Sequence, residues 1–199
     1  MEAGTILVTG IGLAVAAGLN AYIPLLIAGL LVRFDIYHFG EPYDVLGSNA
    51  ALIILAVLLA VEVLADKVPA IDSINDAVQT LVRPASGAVL FAGVASGSEG
   101  GWPQALAVIV GLLTAAGVHA TKATARPVIN VATAGVGGPV VSTVEDGVSA
   151  GLSLAALLAP LLALVLMVAL AWGVVAAWRR RAARRAPVAS RSEPPWLPQ

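Results

Sequence analysis

The chain of 199 residues is 59% hydrophobic and only 12% charged, with a mean hydropathy of +0.92. Soluble domains run at ~45–50% apolar residues, so these few charges cannot clothe a water-soluble core, and lipid is the solvent that removes the conflict. The net charge of -1 says little as a total, whereas the absence of Cys excludes a disulfide framework, a thiolate metal site and a cysteine nucleophile.

The chain opens Met1-Glu2-Ala3-Gly4, without the basic stretch that begins a secretory signal, so the first apolar segment reads as a retained membrane helix. Charge-free runs mark the expected crossings in order. Thr5–Val32 is uncharged for 28 residues, Val45–Ala65 carries Glu62 alone, and Pro84–Ser98 is short at 15 residues. Gly100–Thr121 is uncharged with His119 inside it, Pro127–Val144 is Gly-rich, and Gly147–Trp178 is the longest run, with Pro160 as an expected kink. If Pro127–Val144 crosses, every Lys and Arg except Arg33 falls on one side of the bilayer. The positive-inside rule therefore favours six crossings with both termini cytoplasmic.

The expected fold is all-α, a polytopic bundle over residues 1–178 with broken helices and one amphipathic cytoplasmic helix, followed by a basic, Pro-rich, disordered tail over 179–199. Arg179–Arg185 would hold the last helix at anionic lipids of the inner leaflet, at ~1 kcal/mol per charge. A stop-transfer flank explains these arginines without any nucleic acid. Gly10-xxx-Ala14-xxx-Gly18, Gly93-xxx-Gly97 and Gly147-xxx-Gly151 offer small-residue faces for close helix packing, within the chain or in a homo-oligomer.

Three polar breaks carry the candidate chemistry. In the first crossing, Asn20 stands between Gly18 and Pro24, an amide at membrane depth beside a lost backbone donor. Glu62–Pro84 reads EVLADKVPAIDSINDAVQTLVRP. There Glu62 and Asp66 share a helix face, and Lys67, Arg83, Lys122 or Arg126 could each neutralise one of them. A short helix follows, with Ile71, Ile74, Val78 and Leu81 on one side and Asp72, Asp76, Gln79 and Arg83 opposite; it suits either a solvated loop helix or a polar cavity wall. The third break runs through Lys122, Arg126, Asn130, Gly135–Pro139, Glu145 and Asp146, where an unwound helix would free backbone groups beside a cavity. His38 and His119 lack a second ligand at zinc spacing, and no cofactor motif is present.

Both Lys67 and Lys122 precede an Arg-Pro step, at Arg83-Pro84 and Arg126-Pro127, a faint echo of an internal parallel repeat whose steps would each open an outward helix. The stretches GLNAYIPLL (18–26), ADKVPAIDSINDAVQTLVRPASGA (65–88) and GGPVVSTVEDGVSAGLSLAALLAP (137–160) resemble the bacterial integral-membrane family catalogued as domain of unknown function 4126. At position 20 the chain departs from the family pattern, in which a basic residue often stands. The resemblance implies a small multi-spanning membrane protein and carries no substrate or reaction. The residues themselves suggest a transporter or channel-like permease for an ion, a small solute or a lipid headgroup. The alternatives are an assembly subunit of a membrane complex, or a metal-dependent enzyme acting on a lipid phosphate through Asp72 and Asp76.

Overall fold

A computed structural model describes residues 2–65, 69–98, 102–134 and 136–185. Among them every regular element is helical: α1 (Ala3–Leu19), α2 (Tyr22–Arg33), a 3-10 turn (Tyr43–Gly47), α3 (Asn49–Ala65), α4 (Pro69–Ser96), α5 (Gln104–Ala132), α6 (Gly137–Leu158) and α7 (Pro160–Arg185). The chain forms two units, Met1–Met167 and Val168–Gln199.

In the first unit α1, α4, α5 and α6 build the core, and small residues set how closely they approach. Phe91 against Trp102, Gly87 against Gly111 and Thr80 against His119 fix α4 and α5 as antiparallel neighbours. A Cβ on Gly87 would lie 2.6 Å from the Gly111 carbonyl oxygen, so only glycine lets these backbones close. Helix α1 runs antiparallel to α4, with Gly10 on the Phe91 ring and the Gly18 carbonyl facing Arg83. It is also antiparallel to α6, where Gly12 meets Ala156 and the Ala16 carbonyl accepts from Ser149. The Gly10–Gly18 face thus packs as expected. Gly147 and Gly151 do not, since an added Cβ at either would meet nothing within 4 Å.

The first expected crossing is instead a hairpin. Tyr22 sits beside Gln79 and Glu62, Leu25 shares a groove with Val82 and Val89, and the following loop brings Phe39 and Gly40 to Gly93 and Ser96. Helix α2 therefore runs in the direction of α4, opposite to α1, and Thr5–Val32 folds back at Asn20. At 12 residues α2 is about 18 Å long, short of the ~30 Å hydrocarbon core. Ala3 consequently begins at the end of the unit that carries the 34–47 loop.

Six crossings are not what forms. Among the described residues, four helices are long and apolar enough to cross a membrane: Ala77–Ser96, Gln104–Ala132, Gly137–Leu158 and Pro160–Arg180. Pro127–Val144 is no separate span, because α5 continues through Pro127 to Ala132 and α6 starts at Gly137. Likewise the short amphipathic helix is the first half of α4, which runs unbroken through Pro84. Each proline removes one ladder bond, yet both helices continue because the arginine before each proline is locked into the packed interior. With Arg126-Pro127 inside α5, neither Arg-Pro step opens a new helix, and the proposed repeat fails there. The break at Ala159 divides the long 147–178 run into α6 and α7.

Burial in this unit is inverted relative to a soluble protein. On α3, Glu62 is 1% exposed while its neighbours Val61 and Leu64 are 57% and 66% exposed. On α4, Gln79 and Arg83 face inward, whereas Val78 and Leu81 face out. Aliphatic exteriors around charged interiors suit lipid as the surrounding solvent. The molecule is an all-α membrane bundle.

The second unit holds the remainder of α7, with Trp172 and Trp178 exposed. The helix continues through Arg179 to Arg185. The Pro-rich segment expected to be disordered lies at 186–199, outside the described residues.

Candidate functional site

The site is built around the α1–α2 break. Asn20 leaves the helix with extended backbone (φ -142, ψ 128), and its side chain takes over what the helix has lost. Asn20 Oδ1 accepts from the Tyr22 and Ile23 amides at 3.0 and 3.1 Å, capping the first turn of α2. Its Nδ2 donates to Asp146 Oδ1 on α6 at 2.9 Å. The last ladder bond of α1 runs from the Asn20 amide to the Ala16 oxygen at 3.0 Å, and the carbonyls beyond it form the negative end of the helix dipole. Three helices send donors to this end: Lys122 Nζ to the Leu19 oxygen (3.0 Å), Arg83 Nη1 to the Gly18 oxygen (3.5 Å), and Ser149 Oγ to the Ala16 oxygen (3.0 Å) as a second donor there.

The same cations enter ion pairs. Arg83 Nη2 meets Glu62 Oε1 at 3.0 Å, with side chains 0% and 1% exposed. Lys122 Nζ lies 2.7 Å from Glu145 Oε2, and Arg126 Nη2 lies 3.7 Å from the same oxygen. His119 joins the group through Arg83 Nη1 at 3.3 Å and Thr80 Oγ1 at 3.1 Å. Five helices, α1 and α3 to α6, thus converge with α2 on one charged network. Its cations Arg83, Lys122 and Arg126 are balanced by Glu62, Glu145 and Asp146. An isolated charge at this depth costs ~2.5–3.5 kcal/mol on insertion scales, and mutual pairing is what makes the cluster tolerable.

The three polar breaks named from sequence therefore meet in space. Asn20, Glu62, Arg83, Lys122, Arg126, Glu145 and Asp146 gather at one place. Asn130 stands apart, its amide oxygen turned to Gly138, where an added Cβ would lie 2.7 Å away. Asp72 and Asp76 lie on the first turns of α4, and Asp66 and Lys67 fall outside the described residues. Sequence reasoning missed Thr80, Ser149 and the α1 carbonyls, and it weighed His119 only as a zinc ligand. The available signal was a lone His in an otherwise uncharged apolar run. Among the described residues, no group of three or more His, Asp and Glu is placed to hold a metal ion.

At the opposite end of the unit, Arg33, Asp35, Tyr37, His38 and Asp44 line an open pocket of about 330 Å³. Burial there raises the Tyr37 phenol from its ordinary 10.0 to about 12.

A family model described as "Domain of unknown function (DUF4126)" matches residues 7–180. The chain belongs to this family. The match takes in every member of the charged network, from Asn20 to Asp146. Neither a search of curated proteins nor one of solved structures finds a match.

Proposed function

We propose that this DUF4126 protein is a small permease that passes an ion, a small solute or a lipid headgroup through the bundle at the α1–α2 break. The observation that carries the reading is the broken helix whose freed ends are held by buried, mutually neutralising charges within the spans. In transporters, unwound helices place backbone carbonyls and half-helix ends at the substrate. Here Lys122 and Arg83 occupy those carbonyls, while Glu145 and Glu62 occupy the cations. A permeant able to replace one of these partners enters without stranding a charge. Asn20, Glu62, Arg83, Lys122, Arg126, Glu145 and Asp146 form the path, and the sequence adds Asp66, Lys67, Asp72 and Asp76 as further candidates.

The orientation proposed keeps Lys67, Lys122 and Arg126 toward the cytoplasm of an inner membrane, with the 34–47 loop outside. With α1 and α2 forming a hairpin, the N-terminus joins that loop on the outer side. The arginines of 179–185 remain assigned to anionic lipid on the cytoplasmic side.

Purified protein in liposomes, screened for flux of monovalent ions, phosphate and small organic ions, tests this. Protein-dependent flux of one probe, reduced at least tenfold by Glu62→Gln or Arg83→Gln, is the expected result. Flux equal to empty liposomes, or untouched by both substitutions, would overturn it. The mutual engagement of Arg83 with Glu62 and of Lys122 with Glu145 also favours a second reading, a static clamp in an assembly subunit. Copurification of a stoichiometric partner in mild detergent, without flux, would decide for the clamp.

A further inference from the structure

His119 is 4% exposed and sits between a cation and a hydroxyl. Arginine carries only donors and stays charged. With Arg83 Nη1 3.3 Å from His119 Nδ1, that nitrogen must be the acceptor. The ring is then neutral, with its proton on Nε2 donating to Thr80 Oγ1 at 3.1 Å. Thr80 is itself exposed, so the protonated nitrogen faces the surface and the lone pair faces the buried ion pair.

We propose that His119 is the proton site of this protein, and that a proton there and the present pose of Arg83 exclude one another. The incoming proton must land on Nδ1, which holds the ring's one in-plane lone pair and now accepts from Arg83. Imidazolium then has two donors and no acceptor, so Arg83 Nη1 has to withdraw. One proton is taken from water, one hydrogen bond is lost, and the new Nδ1–H needs an acceptor. The Gly18 carbonyl and Glu62, both now held by Arg83, are acceptors of the right kind that its withdrawal would release. Proton uptake on α5 is thereby tied to the end of α1, to α3 and to α4.

Among the described residues, the charged and titratable groups of the network around the ring come from five elements. Arg83 stands on α4, with Glu62 of α3 and Tyr22 of α2 around it. Lys122 lies on α5 itself, and Glu145 and Asp146 of α6 lie beyond it. Because each neighbour is already engaged with another member, moving Arg83 disturbs the whole network. As a coupling site this rests on the permease reading, since the proton would drive the permeant. As a proton site it stands alone.

The chain has two histidines, so the full-length His38→Gln protein, labelled with ¹⁵N in the imidazole and placed in lipid nanodiscs, reports His119 alone. The expected spectrum at neutral pH is a single neutral ring with its proton on Nε2. On acidification the second proton should appear in the same step in which the Arg83 guanidinium resonances shift. A Nδ1–H tautomer, a ring charged at neutral pH, uptake that leaves Arg83 unmoved, or unfolding before uptake would each overturn the proposal. In Arg83→Gln the fixed tautomer should become mixed. In proteoliposomes, flux should respond to an imposed pH gradient and lose that response in His119→Gln. Flux indifferent to the gradient would remove the coupling and leave the permease. A correct tautomer without any flux would remove the permease and leave the proton site.

Discussion

Arg83→Met keeps the length of the side chain and deletes the guanidinium that lies 3.0 Å from Glu62. Glu62 is 1% exposed, so it remains buried without that counter-charge. Removing one member of such a pair costs about 3–5 kcal/mol, because the remaining charge is uncompensated. Glu62→Leu should cost a similar amount from the other side. The double variant deletes both charges together, and apolar replacement of a whole buried pair is often close to neutral, so its loss should fall to about 1 kcal/mol. The coupling between the two sites is then about 5 kcal/mol or more. Unfolding by SDS in mixed micelles, followed by far-UV circular dichroism and by the four tryptophans, measures each corner of this cycle. Losses that simply add, within about 0.5 kcal/mol, would refute the idea that these residues neutralise each other.

Asn20→Ala removes the cap on α2 and the bond to Asp146, and should cost about 1–2 kcal/mol in the same assay. Asn20→Asp keeps the cap acceptor but sets a second carboxylate against Asp146, and should be the more damaging of the two. Gly87→Leu should separate α4 from α5 at their closest point, costing about 1–3 kcal/mol, as overpacking does. Gly147→Ala should raise stability by up to about 1 kcal/mol, through helix propensity alone, because its added methyl meets nothing. Tyr37 should ionise near pH 12, visible as a late step in the ultraviolet phenolate titration. The unfolded chain releases that proton near its ordinary 10.0, so the contribution is intact below pH 10 and lost as pH climbs towards 12; Tyr37→Phe should abolish this part of the alkaline loss.

Composition made the solvent legible, and the polar breaks made the site legible. Glu62 and Arg83 stood out because charges at membrane depth must find partners, and here they found each other. Lys122 and Glu145 follow the same logic across 23 positions of sequence. What the residues concealed was direction. An uncharged run of 28 residues accommodates one long crossing or two short helices folded back, and hydropathy is blind to the difference. Asn20 decides it by capping a second helix, a role that needs the turn to be seen. Prolines misled in the opposite sense. Pro84 and Pro127 read as helix starts, yet the buried arginine beside each holds the helix through the missing bond. Glycines were ambiguous too, since the Gly147–Gly151 pair has the spacing of a contact and makes none.

The hairpin at Asn20 also bears on how the protein is made. Its tip is synthesised well before its partners: Lys122 follows Leu19 by 103 positions, and Asp146 follows Asn20 by 126. At ~5–20 residues per second, that interval lasts roughly 5 to 25 s. Throughout it, a polar tip on helices too short to anchor themselves has no interior to enter. Biogenesis must therefore shelter the N-terminal hairpin at the insertion machinery or the bilayer surface. It seats only when α5 and α6 arrive, so a segment made long before them reaches its final place together with them.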